Sequence, residues 1–127
     1  MATRATLRVS DEDDRFDIYR HFDGYPDGQC GVIHDIKAAM DLAWELPRFE
    51  ARDFAAALVA TMKTGAGSVY LTREASRHID RAYHYDVTFA EQALQVEVHR
   101  TSYRINDIVP IFNGTIDQAV KRFEAEG

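Results

Sequence analysis

Residues 83–98 read Tyr-His-Tyr-Asp-Val-Thr-Phe-Ala-Glu-Gln-Ala-Leu-Gln-Val-Glu-Val, and this stretch decides the fold. Apolar and polar side chains alternate on both sides of a short connection at residues 90–93. A period of two is typical of strands with one buried and one solvated face, and the short connection predicts an antiparallel hairpin. His84 and His99 lie on the predicted solvated face and could meet across the two strands. A histidine pair in that setting does not by itself indicate a site.

A second hairpin is predicted at the start of the chain. Residues 5–10 and 15–22 show the same strand periodicity, and Ser10-Asp-Glu-Asp-Asp14 separates them. These residues favour turns, so we expect an acidic tip, Asp11–Asp14, between the two strands. The tip is the densest negative patch in the sequence, and it is either a solvated turn or a contact for a basic partner.

The second strand ends in the stretch Tyr19-Arg-His-Phe-Asp-Gly-Tyr-Pro-Asp-Gly28. Proline fixes φ and glycine accepts positive φ, so this order predicts a loop. From about Gly31 to Pro47 the apolar period changes to three and four residues, which predicts an amphipathic helix of about four turns. A second helix is predicted over residues 54–63, and a last one begins after Thr115 as its N-cap.

The remaining segments complete one α+β domain over residues 1–127. Residues 68–72 predict a short strand, residues 73–82 carry no clear pattern, and residues 101–112 predict an extended or irregular crossing segment. The predicted order is β-β-α-α-β-β-β-α. We expect an antiparallel sheet of about five strands, with two central helices packed on one face and a C-terminal helix.

Composition and charge limit the classes of partner. The chain has 127 residues, of which 46% are apolar, and a formal net charge of −6. A negative charge argues against direct binding of nucleic acid, which depends on lysine and arginine at the phosphates. No apolar run reaches the roughly 20 residues of a membrane span, and the N-terminus lacks the apolar block of a signal peptide. With a single cysteine, Cys30, these features lead us to expect a cytoplasmic protein with no membrane partner.

Candidate catalytic residues cluster at the end of the second strand. His21 and Asp23 project to one side of an extended chain and could chelate a metal ion, with His34 as a third ligand. With Tyr25 they could instead perform acid–base catalysis in a small hydrolase. The alternative is structural, with both side chains bonded to loop backbone and holding the turn. No phosphate loop, dinucleotide fingerprint or nucleophile elbow is present, so we expect no cofactor, and binding in preference to catalysis.

Two pieces of the sequence resemble a group of small proteins encoded by bacteriophages and other mobile elements. They are the start Met1-Ala-Thr-Arg4 and the stretch Ile18-Tyr-Arg-His-Phe-Asp-Gly-Tyr-Pro26. Members of that group tend to open Met-x-Thr-Arg-Ser and to carry Tyr-x-His-Trp-Asp-Gly-Tyr-Pro. This chain has Ala5 in place of serine and Phe22 in place of tryptophan. The resemblance implies a small, acidic, phage-type accessory protein of the host cytoplasm.

That context favours a counter-defence function. We expect a protein that binds and inhibits a host defence complex, as an anti-CRISPR protein does, with an acidic surface occupying a basic site on a protein or ribonucleoprotein. The predicted contact residues are Asp11, Glu12, Asp13, Asp14, Asp17, Tyr19, Tyr25 and Asp27. The alternatives are the hydrolase that uses His21 and Asp23, and a homo-oligomeric interaction domain whose sheet edges pair.

Overall fold

The computed structural model describes residues 2–102 and 107–124. They form six strands and three helices, which confirms the α+β class. The strands are β1 (Ala5–Ser10), β2 (Arg15–Arg20), β3 (Val69–Thr72), β4 (Tyr83–Ala90), β5 (Ala93–Ser102) and β6 (Asp107–Thr115). The helices are α1 (Val32–Ala39), α2 (Ala51–Met62) and α3 (Ile116–Glu124). None of the described helices is long and apolar enough to cross a membrane.

The sheet is mixed, which corrects the predicted antiparallel sheet of about five strands. Its order is β3-β2-β1-β4-β5-β6, and β1 pairs with β4 in parallel while the other neighbours are antiparallel. The parallel pair arises because the chain leaves the edge strand β3, crosses over β2 and β1 through residues 73–82, and enters β4 in the direction of β1. Sequence periodicity carries no information about which strand a crossing segment reaches.

All three helices pack on one face of the sheet, where the apolar residues of the strands point. Leu7, Ile18, Tyr85, Val87 and Val98 lie in this core, and each is fully buried. The opposite face, which we call the polar face, carries the alternate residues of the strands. Residues 73–82 cross this face over β1 and β2, with a single 3₁₀ turn at Ala75–Arg77. The polar face is therefore partly covered and not fully solvated.

Both predicted hairpins are present. In the first, β1 and β2 pair from Ala5↔Arg20 to Ser10↔Arg15. In the second, β4 and β5 are joined by Glu91 and Gln92, whose φ values are 53° and 65°. Two consecutive residues with positive φ are the mark of a type I′ turn, which fits the twist of an antiparallel pair.

The first helix is shorter than predicted. It ends at Ala39 and does not continue to Pro47. After it, Met40 and Asp41 donate to carbonyls only three residues back, and Asp53 accepts a hydrogen bond from the backbone N–H of Trp44 at 2.8 Å. The apolar residues after Ala39 keep the spacing of a helix, which predicted two further turns of α1. They pack instead from a tightened turn and a loop.

The C-terminal third contains one strand more than predicted. Residues 107–115 form β6 beside β5, where an extended or irregular crossing segment was expected over residues 101–112; residues 103–106 of that segment lie outside the described residues. Thr115 caps α3 as predicted. Its Oγ1 accepts from the backbone N–H of Gln118 at 3.2 Å, and Gln118 Oε1 accepts from the backbone N–H of Thr115 at 2.9 Å. This reciprocal pair is a capping box.

Candidate functional site

The acidic tip is a rigid turn attached to helix α2. Asp11 Oδ1 accepts hydrogen bonds from the backbone N–H groups of Asp13 and Asp14, at 2.9 and 2.8 Å. Its second oxygen, Oδ2, accepts from the backbone N–H of Ala51, the first residue of α2, at 2.7 Å. These three donors, with Ala51 first, hold the pKa of Asp11 below its usual value. Asp11 therefore has a structural task, because it satisfies a helix N-terminus supplied by another part of the chain.

The other three carboxylates of the tip are free to meet a partner. Glu12, Asp13 and Asp14 are exposed, and none of them forms a salt bridge within the described residues. They border a shallow groove of about 560 Å³ beside the start of α2. Three unpaired negative charges on one fixed turn create a local negative potential that favours a basic partner.

The floor of this groove is aromatic. Phe49 and Phe89 are half-buried and stack with ring centroids 5.9 Å apart and an interplanar angle of 18°. Phe89 reaches the groove because β4 runs parallel to β1, so that both strands end at the same edge of the sheet as Asp11. Partly exposed aromatic rings inside a polar rim are the arrangement that protein interfaces use for their anchors.

Glu50 lies on the rim of the groove and forms ion pairs with two neighbouring arginines. Its carboxylate binds Arg48 at 3.1 Å and Arg52 at 2.8 Å. Hydrogen bonds from Arg52 and then Arg48 lower the pKa of Glu50. Both guanidinium groups therefore form their ion pairs with Glu50, and Arg52 also interacts electrostatically with Asp14 and Asp11 of the tip.

Two of the predicted contact residues lie elsewhere, on the covered part of the polar face. Asp17 and Tyr19 are buried, with relative exposures of 3% and 5%. Asp17 accepts hydrogen bonds from Arg8 and from the backbone N–H of Ala75, and Tyr19 stacks on His78 with centroids 4.6 Å apart. The crossing segment, which sequence patterning left unassigned, removes both side chains from any partner.

Two more of the predicted contact residues lie at the far end of the sheet. Tyr25 and Asp27 follow the end of β2, whereas the acidic tip precedes its beginning. A strand of six residues spans roughly 20 Å, so the two regions do not form one continuous surface. Of the eight predicted contact residues, the structure brings only Asp11, Glu12, Asp13 and Asp14 together.

The predicted catalytic residues do not assemble into a site. The Tyr19 hydroxyl and His21 Nδ1 are 2.8 Å apart, and the Tyr25 hydroxyl donates to Asp23 Oδ1 at 3.1 Å, so the histidine and the carboxylate have separate partners. Asp23 is exposed and has a φ of 54°, which turns it out of the strand direction on which the chelating geometry depended. Among the described residues, His21, Asp23 and His34 do not form a group of converging ligand atoms.

The loop after β2 is held by Arg20 and Tyr85, and not by His21 and Asp23 as the structural alternative expected. Arg20 donates to the carbonyls of Phe22 and Cys30, at 2.8 and 2.7 Å, and forms an ion pair with Asp35 of α1. The buried Tyr85 hydroxyl donates to the Gly24 carbonyl at 2.6 Å. Sequence patterning did not single out either residue, since an arginine at a strand end and a core tyrosine carry no local signal.

The histidine pair on β4 and β5 is largely covered, in contrast to the solvated face expected for it: His84 is buried, and the side chain of His99 is 12% exposed. His84 and His99 lie directly opposite each other with ring centroids 5.9 Å apart. His84 Nδ1 is 2.8 Å from the Thr6 hydroxyl, and its Nε2 is 3.1 Å from Asp86 Oδ1. Burial alone would raise the pKa of Asp86, but the hydrogen bond from His84, with the nearby Arg8, outweighs it and lowers the pKa.

The aromatic groove floor was missed by sequence reasoning, although part of its signal was present. Phe89 was recognised only as the last apolar residue of its strand, and Phe49 lies in the segment after Pro47. Only the parallel pairing of β1 with β4 brings the second hairpin to the acidic tip. No protein-family model, no curated protein and no solved structure matches this chain.

Proposed function

We propose that this chain is a protein-binding inhibitor that docks through the acidic tip and the adjoining groove. The observation that carries the proposal is the set of three unpaired carboxylates, Glu12, Asp13 and Asp14, beside the stacked pair of Phe49 and Phe89. The phenylalanines supply apolar contact area, and the carboxylates supply steering and specificity toward a basic surface. The groove is shallow and open, which suits a protein partner better than a small substrate.

The partner that this surface fits is a basic site on a host defence complex. Nucleic-acid-guided effectors hold their target in a positively charged channel, and a fixed acidic turn can compete for such a channel. The net charge of −6 and the resemblance of residues 1–4 and 18–26 to phage-type proteins support this choice of partner. The inhibitor would act by occupancy, with no chemical step and no cofactor.

The test is inhibition of purified guide-loaded effector complexes. Cleavage of target DNA is measured with the wild type and with a variant that combines Glu12→Gln, Asp13→Asn and Asp14→Asn, leaving the structural Asp11 intact. The matched control removes three exposed charges elsewhere, through Asp23→Asn, Asp41→Asn and Glu45→Gln.

We expect the wild type and the control to inhibit cleavage. The tip variant should bind the effector complex with at least tenfold lower affinity and inhibit correspondingly less. Binding of the wild type should also weaken between 50 and 300 mM salt, because exposed charge contacts are screened. Equal affinity of the tip variant and the control would overturn the acidic-tip contact. Absence of binding to any guide-loaded complex would overturn the choice of partner.

A second candidate function is self-association through an edge of the sheet. Edge strand β3 pairs only with β2, and its Leu71 is 65% exposed. An edge strand with a free side and an exposed apolar residue can pair with a second copy. Light scattering at millimolar concentration tests this candidate, and a monomeric mass under those conditions rejects it.

A further inference from the structure

Four side chains of the types that commonly act as metal ligands in proteins lie together on the polar face. On β4 these are His84 and Asp86, and on β5 they are Glu97 and His99. The register places Asp86 opposite Glu97 and His84 opposite His99. Residues two apart on one strand share a face, so all four side chains project the same way. This cluster lies apart from the acidic tip, and the inference drawn from it is independent of the proposed inhibitor function.

The imidazole of His99 has no hydrogen-bond partner among the described residues. Its two ring nitrogens are buried, and neither forms a hydrogen bond within the described part of the chain. On β6 its neighbour is Pro110, which has no backbone N–H, and a bulge shifts the register next to it. Buried polar atoms in native proteins nearly always have a partner. The two buried ring nitrogens of His99 therefore need a partner that the described residues do not supply.

Two carboxylates face that imidazole at distances typical of ligands that share an ion. His99 Nε2 lies 2.9 Å from Glu97 Oε1 and 3.4 Å from Asp86 Oδ2, without hydrogen-bond geometry to either oxygen. One ligand atom from each of the three residues lies within 4.8 Å of the other two. Ligand atoms bound about 2.1 Å from one ion, at angles of about 90° to 109°, are about 3.0 to 3.4 Å apart.

The charges of the cluster also favour a cation. Asp86 and Glu97 are directly opposite on neighbouring strands, where two like charges destabilise the pair. A divalent ion between them would replace this repulsion with attraction to both carboxylates. The side chains of Asp86 and Glu97 are partly exposed, so an ion can enter from solvent.

A chain of hydrogen bonds orients one of the carboxylates. Arg81 donates to the Thr6 hydroxyl at 3.0 Å, and Thr6 lies 2.8 Å from His84 Nδ1. The Asp86 carboxylate can only accept, so a neutral His84 carries its hydrogen on Nε2 and donates it to Asp86 Oδ1, and its Nδ1 accepts from the buried Thr6 hydroxyl. This leaves Asp86 Oδ2 toward His99. Histidine–carboxylate contacts of this kind orient metal ligands in known sites.

We propose that Asp86 Oδ2, Glu97 Oε1 and His99 Nε2 bind one divalent first-row transition-metal ion, and that His84 positions Asp86. One imidazole nitrogen with two carboxylate oxygens suits Zn²⁺ or Mn²⁺, whereas Mg²⁺ and Ca²⁺ favour oxygen ligands alone. Three protein ligands leave coordination positions open toward solvent, as in metal sites that bind a further molecule.

The test is a titration of chelator-treated protein with ZnCl₂, followed by isothermal calorimetry and by thermal unfolding. We expect one ion per chain and a rise in melting temperature with zinc concentration. The variants His99→Gln and Glu97→Gln should lose at least 100-fold in affinity, and His84→Gln about 10- to 100-fold. The matched control is His21→Gln, whose histidine lies outside the cluster and should leave zinc affinity unchanged.

Folding of each variant is checked by circular dichroism before titration. If His99→Gln does not fold, the partly exposed Glu97 carries the decision through Glu97→Gln. Histidine side-chain NMR should also show a zinc-dependent shift at His99 Nε2 in the wild type. Absence of zinc binding by the wild type, or equal affinity of Glu97→Gln and His21→Gln, would overturn the proposal.

Discussion

Arg8 on β1 and Asp17 on β2 lie directly opposite each other and form a two-point ion pair beneath the segment that crosses the polar face. Arg8 Nε is 2.9 Å from Asp17 Oδ1, and Arg8 Nη2 is 3.2 Å from Asp17 Oδ2. Asp17 Oδ2 also accepts from the backbone N–H of Ala75, and Arg8 reaches Glu74. The pair therefore joins the first hairpin to the segment that delivers β4 to its parallel position beside β1.

Asp17→Asn should destabilise the fold. The change leaves Arg8 without its buried carboxylate and weakens the bond to Ala75, and since Arg8 is partly exposed we expect a loss of about 2–3 kcal/mol in the free energy of unfolding. Urea unfolding measures this loss. Asp13→Asn, on the exposed tip, is the control and should leave the unfolding free energy unchanged. A wild-type value for Asp17→Asn would show that the pair does not support the crossing segment.

Stability should decline as the pH falls below about 4. Burial alone would raise the pKa of Asp17, but the hydrogen bonds from Arg8 and Ala75 outweigh it, and the folded-state pKa lies below the unfolded value. The stabilisation is therefore present above the unfolded pKa and is lost as the pH falls through the folded pKa. Urea unfolding between pH 6 and pH 3 should show a shallower decline for Asp17→Asn than for the wild type. Identical slopes would mean that Asp17 does not contribute to acid unfolding.

Asp11→Ala should lower stability, whereas Glu12→Ala should not. Asp11 satisfies the N-terminus of α2 through Ala51 and closes the turn of the tip, while Glu12 has no such partner among the described residues. We expect the melting temperature of Asp11→Ala to fall by several degrees and that of Glu12→Ala to stay at the wild-type value. Differential scanning calorimetry makes the comparison. Equal melting temperatures for both variants would show that Asp11 is no more structural than its neighbour.

Tyr85→Phe should weaken the loop after β2. The Tyr85 hydroxyl is buried and donates to the Gly24 carbonyl, so its removal leaves a buried carbonyl without that partner and should cost about 1–2 kcal/mol. Urea unfolding tests the loss. Tyr83→Phe is the control, because the Tyr83 hydroxyl has only a long contact of 3.5 Å with Arg100 at an exposed position. A loss of the same size in both variants would reject a special role for the bond to Gly24.

Local features of this fold follow from sequence patterning alone. Alternation predicted both hairpins, and Thr115 was recognised as the N-cap of the last helix because a hydroxyl at that position can accept a backbone N–H. The length of α1 was overestimated, since Met40 and Ala43 keep a helical spacing although they pack from a loop. Periodicity reports which side chains are apolar, and a turn packed on the core can present the same spacing as a helix.

The candidate surfaces were also predicted only in part from the sequence. The acidic tip was visible as four consecutive carboxylates, yet Asp11 proved to be a helix cap, and Asp17 proved to be buried under residues 73–82. Of the cluster that we propose as a metal site, sequence reasoning recognised only the two histidines of the second hairpin. Asp86 and Glu97 come together with His99 through the register of β4 with β5, and the partial covering of this face of the sheet has no local sequence signature.

The order of apolar and polar residues was sufficient for the strands of both hairpins, the loop after β2 and the last helix, because these depend on contacts between residues close in the chain. The tertiary fold was needed for the parallel pairing of β1 with β4, which brings Phe89 to the acidic tip, and for the burial of His84 beside the partly covered His99. The physical reason is that chain crossing and face coverage depend on contacts between distant residues, whose entropy of closure is offset only when the whole core forms.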